Sequence, residues 1–130
     1  MPQFFEMPFP VFYELSDRRN FSAILHVQDL LRRFGKERDV KLSTLTSIQY
    51  YLNPQELDYK LRHPDTDPIL VGKINGMNLI LDGSHRAAVA WSQGKTSIRA
   101  RFLDFGKLKT KNVDNDYLVK KFDAARPKGR

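Results

Sequence analysis

From residue 69 to residue 105 the apolar positions change period twice. Ile69, Leu70 and Val71 with Ile74 make a short continuous run that predicts a buried strand. Asn75-Gly76 comes next, and both central positions of a type I′ hairpin turn need positive φ. Met77, Leu79 and Leu81 alternate with Asn78 and Ile80, so a return strand buried on at least one face is expected. Gly83 permits a backbone reversal that a side chain would obstruct. From Ser84 or His85 to about Gln93 the residues favour helix, with Ala87, Ala88, Ala90 and Trp91 placed to pack on the sheet. Gly94 stands where a left-handed C-terminal cap belongs. Ile98, Ala100 and Phe102, with the offset Leu103 and Phe105, predict a strand that closes the unit.

Upstream, Phe21, Ile24, Leu25, Leu31 and Phe34 follow helical spacing, with Asn20 or Ser22 as the cap and Gly35 as the stop. Asn53-Pro54 marks another helix start, with Gln55 and Glu56 in its first turn. Helices are therefore expected at about 21–34, 54–62 and 84–93. Pro2, Pro8 and Pro10 predict an extended N-terminal arm, with Phe4, Phe5, Phe9 and Phe12 as anchors. Near the other end, Tyr117, Leu118, Phe122 and Ala125 have a spacing compatible with a short amphipathic helix.

The corner between the return strand and its helix holds the densest chemistry: Asp82, Gly83, Ser84, His85 and Arg86 in sequence. The first N–H groups of a helix lack intrahelical partners and sit at the positive end of its dipole. A glycine turn leading into them is a natural phosphate cradle. His85 and Arg86 can add charge-assisted hydrogen bonds, and Asp82 can hold Mg²⁺ through water or orient an attacking hydroxyl. A plainer reading stands beside this one. Asp82 or Ser84 serves as an N-cap, and Arg86 pairs with a surface carboxylate.

The run DPILVGKINGMNLILDGSHRAAVAWSQGK resembles the core of the ParB/sulfiredoxin superfamily, with its hydrophobic hairpin, Gly-x-His-Arg-like corner opening a helix, and strand after it. The preceding VKLSTLTSIQYYLNPQELDYKLRHPDTDPILV resembles that family's opening strand, a polar segment containing Gln49, and a short helix before the Pro-Ile strand. The likeness covers roughly residues 38–105. It implies a compact α+β domain with a small mixed sheet and surrounding helices. It also implies nucleotide handling, with Gly83, Ser84, His85 and Arg86 as phosphate-binding residues and Asp82 as the adjacent acid. Gln49 and Lys73 are accessory candidates, although Gln49 equally suits a helix-start hydrogen bond and Lys73 the outward side of an alternating strand. Sulfiredoxins carry a catalytic cysteine just before the His-Arg pair. Ser84 stands there, and with no cysteine in the chain, sulfinic-acid reduction by that route is excluded.

At 130 residues the chain is expected to form one domain with a real core, and 41% hydrophobic residues place it among globular rather than disordered sequences. No apolar run is long enough to span a bilayer, so no membrane partner is expected. The N-terminus has no basic start and does not read as a signal peptide, and a cytoplasmic setting fits most simply. His26, His63 and His85 are too scattered for a metal cluster. The net charge is +7, of which five charges fall in residues 107–130. That basic extension suits either salt-dependent contact with DNA or a solvated end.

The expected organisation is an N-terminal arm and helix at 1–37, a ParB/sulfiredoxin-like core at 38–106 and a basic extension at 107–130. The leading functional expectation is a nucleotide- or nucleic-acid-phosphate-binding protein. Its chemistry would be ATP- or CTP-dependent phosphoryl transfer or hydrolysis, or nuclease action, with Mg²⁺ and with Asp82 and His85 as catalytic residues. The alternative is a non-catalytic module, of the phage or plasmid adaptor or inhibitor kind. It would act on DNA or on a protein partner through its extensions, the apolar arm serving that partner or a homodimer.

Overall fold

A computed structural model describes residues 5–10, 21–48, 51–64, 66–74 and 76–106. Within these residues the fold is mixed α+β, with a five-stranded mixed sheet and three α-helices. In chain order the elements are β1 (Phe5–Glu6), α1 (Phe21–Phe34), β2 (Lys36–Lys41), a 3₁₀ turn (Leu42–Thr44) and β3 (Leu45–Ser47). They continue with β4 (Tyr51–Leu52), α2 (Pro54–Arg62), β5 (Ile69–Ile74), β6 (Met77–Asp82), α3 (Ser84–Ser92) and β7 (Ser97–Asp104). The main sheet has the order β2-β7-β5-β6-β3, while β1 and β4 form a separate two-stranded ribbon. The β5–β7 and β3–β6 pairs are parallel, and β2–β7 and β5–β6 are antiparallel. Asn75, Gln49, the arm outside residues 5–10 and the 107–130 extension lie outside the described residues.

β5 reads as continuously apolar because both of its faces are covered. Ile69 and Val71 face one cluster with Ile80, Ala100 and the α3 residues Ala87 and Ala90. Leu70 and Ile74 face a second cluster with Leu79, Leu81, Phe105 and the α1 residues Val27, Leu30 and Leu31. The sheet is thus a central layer between α1 and α3. Gly72 sits inside β5 because Phe105 packs across it: a Cβ there would lie 2.9 Å from the Phe105 ring. Phe9 is buried in the α3-side cluster and meets the Trp91 ring edge-on at 5.9 Å. The arm is anchored there, as the spacing of its phenylalanines predicts for that residue.

The short link between β2 and β3 shapes the sheet. These strands lie at opposite edges. In a flat sheet, strands about 4.8 Å apart would hold the two edges about 19 Å from each other. The four Cα steps from Lys41 to Leu45 reach about 14 Å at most. The sheet is therefore strongly coiled, and the link passes over the α3-side face, where Leu42 and Leu45 join the cluster of Val71 and Ala100. Asn78 on β6 pins this strap by donating from Nδ2 to Thr44 Oγ1 at 3.2 Å.

α2 starts where Asn53-Pro54 predicts. The Asn53 side chain accepts from the N–H groups of Gln55 and Glu56 at 2.8 and 3.3 Å, and Pro54 occupies the first turn. At the far end of α3, Gly94 has φ +76°, the left-handed conformation expected of a residue just past a helix. None of the described helices is long and apolar enough to cross a membrane.

Candidate functional site

The corner begins with an irregularity in the hairpin. Leu70 pairs with Asp82 but Val71 pairs with Ile80, so Leu81 is an extra residue in β6. Such a bulge bends its strand and re-aims the residues beyond it. Gln28 on α1 donates from Nε2 to the Leu81 carbonyl, so that carbonyl at the bulge is hydrogen-bonded from the helix side.

Gly83 then turns the chain with φ +103° and ψ 23° and serves as the N-cap of α3 without any side-chain cap hydrogen bond. The Ala87 N–H donates to the Gly83 carbonyl at 2.9 Å, which closes the first helical turn. The N–H groups of Ser84, His85 and Arg86 precede that first bond and stand at the positive end of the helix. A Cβ at Gly83 would lie 2.4 Å from Ile69 Cγ2 and 3.2 Å from an Arg86 guanidinium nitrogen. The corner is thus pressed against β5 with no room for a side chain.

The three side chains after the glycine diverge. Ser84 is 5% exposed, and its hydroxyl faces that of Ser47 at 3.4 Å. This turns its Oγ inward, so only the Ser84 backbone is placed to meet a ligand. The plainer reading of Ser84 or Asp82 as a side-chain N-cap does not hold, because Gly83 occupies that position.

His85 is half-buried, and its Nε2 accepts from the Asn53 N–H at 3.0 Å. A backbone N–H can only donate, so Nε2 carries no proton and the neutral ring holds its proton on Nδ1. Burial pushes the His85 pKa below its ordinary 6.5, with the Lys60 charge acting the same way and Glu56 opposing both. His85 is therefore neutral at pH 7, where it offers an ordinary Nδ1–H bond and not a charge-assisted one. Its Nε2 lone pair is already engaged, so it is not poised as a base through that atom.

Arg86 supplies the charge. Its side chain is 14% exposed, donates to the Asp67 carbonyl at 2.6 Å, and lies 3.9 Å from the Asp82 carboxylate one helical turn away. The plainer pairing of Arg86 with a carboxylate is thus present too, in addition to a cation held at the cradle. The Asp82 side chain, at 54% exposure, stands at the end of β6 with access to solvent. One exposed carboxylate beside a phosphate cradle suits Mg²⁺, which is commonly held by one or two carboxylates with nucleotide phosphates supplying further oxygens.

The accessory candidates fare differently. Lys73 lies four residues along β5 from Ile69, the residue that Gly83 touches, which is about 13 Å at ~3.3 Å per residue. The fold does not bring it to the corner. It lines a hollow at the opposite end of the same sheet face. Gln49 lies outside the described residues. Sequence reasoning missed Asn53 and Asp67 as partners of the corner. Asn-Pro announces a helix start but not the ring that its N–H engages, and Asp67 takes part through its backbone carbonyl, which carries no residue-specific signal.

No model of a known family matches the chain, and no curated protein matches it.

Proposed function

We propose that the Asp82–Arg86 corner binds the phosphates of a nucleotide and that the chain is a ParB/sulfiredoxin-like nucleotide-phosphate-binding protein. The observation that carries this reading is the left-handed Gly83 turn, which delivers three consecutive helix N-terminal N–H groups beside a held guanidinium. The Ser84, His85 and Arg86 N–H groups cradle phosphate oxygens, Arg86 balances their charge, and His85 Nδ1–H donates a further bond. These donors stabilise charge that builds on phosphorus during transfer or hydrolysis. The chemistry assigned is ATP- or CTP-dependent phosphoryl transfer or hydrolysis, or phosphodiester cleavage, with Asp82 holding Mg²⁺. A bound Mg²⁺ would neutralise phosphate charge and polarise the reacting bond.

Calorimetry of the full chain against ATP, CTP, GTP and deoxynucleotides with Mg²⁺ tests this. One nucleotide is expected to bind wild type and to lose at least about tenfold in affinity in Arg86→Ala, in line with loss of a charge-assisted contact. Absence of binding by every nucleotide would overturn the reading.

A second reading has its own support. An apolar groove of about 450 Å³ runs between α2 and α3 beside Pro8, lined by Leu57, Leu61, Val89 and Trp91. Leu61 and Trp91 remain 48% and 46% exposed. Such a surface suits a non-catalytic module that holds a protein partner. If Leu61→Lys abolishes biological function while Arg86→Ala preserves it, that reading replaces the first.

A further inference from the structure

The coiled sheet leaves part of its α3-side face open. Beyond the strap at Lys41–Thr44 lies a hollow of about 510 Å³, floored by Phe102, Lys73 and Asn78 and walled by Arg38 of the edge strand β2. Its size is within the range of small-ligand sites. The lining is polar apart from Val40 and the Phe102 ring. Arg38 covers that ring, its guanidinium carbon 4.6 Å from the Phe102 centroid. A guanidinium held over an aromatic presents a planar, weakly hydrated surface of the kind on which bases stack.

The charges in the hollow are unbalanced in a specific way. Arg38, Lys41 and Lys73 contribute three cations against the carboxylates of Asp39 and Asp104. Both carboxylates have other partners. Asp39 lies 3.8 Å from Arg99, and Asp104 accepts from the Gly106 N–H at 3.0 Å. Among the described residues, no ion pair engages Arg38, Lys41 or Lys73. Asn78 uses its amide N–H₂ on Thr44, which leaves its carbonyl oxygen to accept from a base edge or a sugar hydroxyl.

We propose that this hollow is a second, separate site for a base-bearing phosphate: a nucleotide unit of a single strand, or a free mononucleotide. The base stacks on the Arg38–Phe102 pair, and Lys73 and Lys41 take the phosphate. An unstacked nucleotide meets these requirements, whereas the bases of a duplex are covered by their neighbours and cannot lie on the platform. The site does not depend on the Asp82–Arg86 corner, since Lys73 lies about 13 Å from it by the strand spacing.

Two probes separate the sources: a short fluorescent oligothymidylate read by anisotropy over a salt series, and CMP read by calorimetry, both with the full chain. Arg38→Ala/Lys73→Ala is expected to weaken whichever probe binds by about tenfold or more. For the oligonucleotide it should also lower the salt slope by about 1.4, or ~0.7 for each lost cation. Arg38→Lys keeps the charge and loses the flat surface, so it should weaken binding while leaving the slope unchanged. Arg86→Ala should leave the part of binding that depends on residues 38 and 73 intact. Both substituted side chains are exposed, and urea unfolding of each variant confirms that the fold is kept. Binding of the oligonucleotide identifies a strand site, and binding of CMP alone a mononucleotide site. Failure of both probes to bind, equal affinity in wild type and the double variant, or equal competition by duplex would overturn the proposal.

Discussion

Gly83→Ala isolates the demand that the corner makes on the backbone. At φ +103° an L-residue is strained, which costs about 1–2 kcal/mol. The added methyl would also lie 2.4 and 2.7 Å from two carbons of Ile69, which is 0% exposed and cannot swing away. Overpacking of this kind costs about 1–3 kcal/mol more. The expected loss is about 2–5 kcal/mol, a large fraction of the roughly 5–15 kcal/mol that stabilises a small domain. Gly76→Ala is the internal control, because Gly76 also has positive φ, at +77°, but a Cβ there meets nothing within 4 Å. It should cost only the strain, about 1–2 kcal/mol. Urea unfolding followed by circular dichroism reads both. With a slope of about 2 kcal/mol per molar, the Gly83→Ala midpoint should fall by about 1–2.5 M and the control by less than about 1 M. Equal midpoints for the two variants, with unchanged slopes, would refute the claim that Ile69 closes the corner.

Two further predictions concern the side chains there. The pKa of His85 is lowered by folding, so its contribution to stability is complete above the unfolded value of about 6.5 and is lost as pH falls from there through the folded value. The melting-temperature gap between wild type and His85→Ala should therefore narrow from pH 7.5 to about pH 5; a gap that widened on acidification would show that Nε2 does not accept from Asn53. Arg86→Ala removes the hydrogen bond to the Asp67 carbonyl from a largely buried position and should cost about 1–3 kcal/mol in urea unfolding. Arg86→Lys should restore less than half of that, because an ammonium lacks the guanidinium fork, and a loss below about 0.5 kcal/mol for the alanine variant would count against a structural role.

Burial decides which elements were legible in the sequence. β5, β6, α3 and β7 appear within one or two residues of their expected limits, because both faces of β5 are apolar and glycines mark the joints. β2 starts at Lys36, although the apolar signal begins only at Val40. Residues 36–39 are all exposed, and without a buried face there is no alternation to read. The β1–β4 ribbon joins residues more than forty positions apart through two-residue strands, too short to leave a period. At the corner, the backbone was readable from Gly83, but the side-chain directions were not. Ser84, His85 and Arg86 each turn to a partner 37, 32 and 19 positions away, and only the folded chain defines those partners.

The exposed charges of β2 also govern how the sheet meets other chains. An open sheet edge offers unpaired backbone groups to any extended segment, and that is a route to aggregation. Here one edge strand reads Lys-Glu-Arg-Asp, so a second chain pairing along it would have to accommodate charge of both signs at every outward position. The opposite edge, β3, is only three residues long. Replacing residues 36–39 with valine and threonine would leave the core untouched and turn a quiet margin into a template for strand addition.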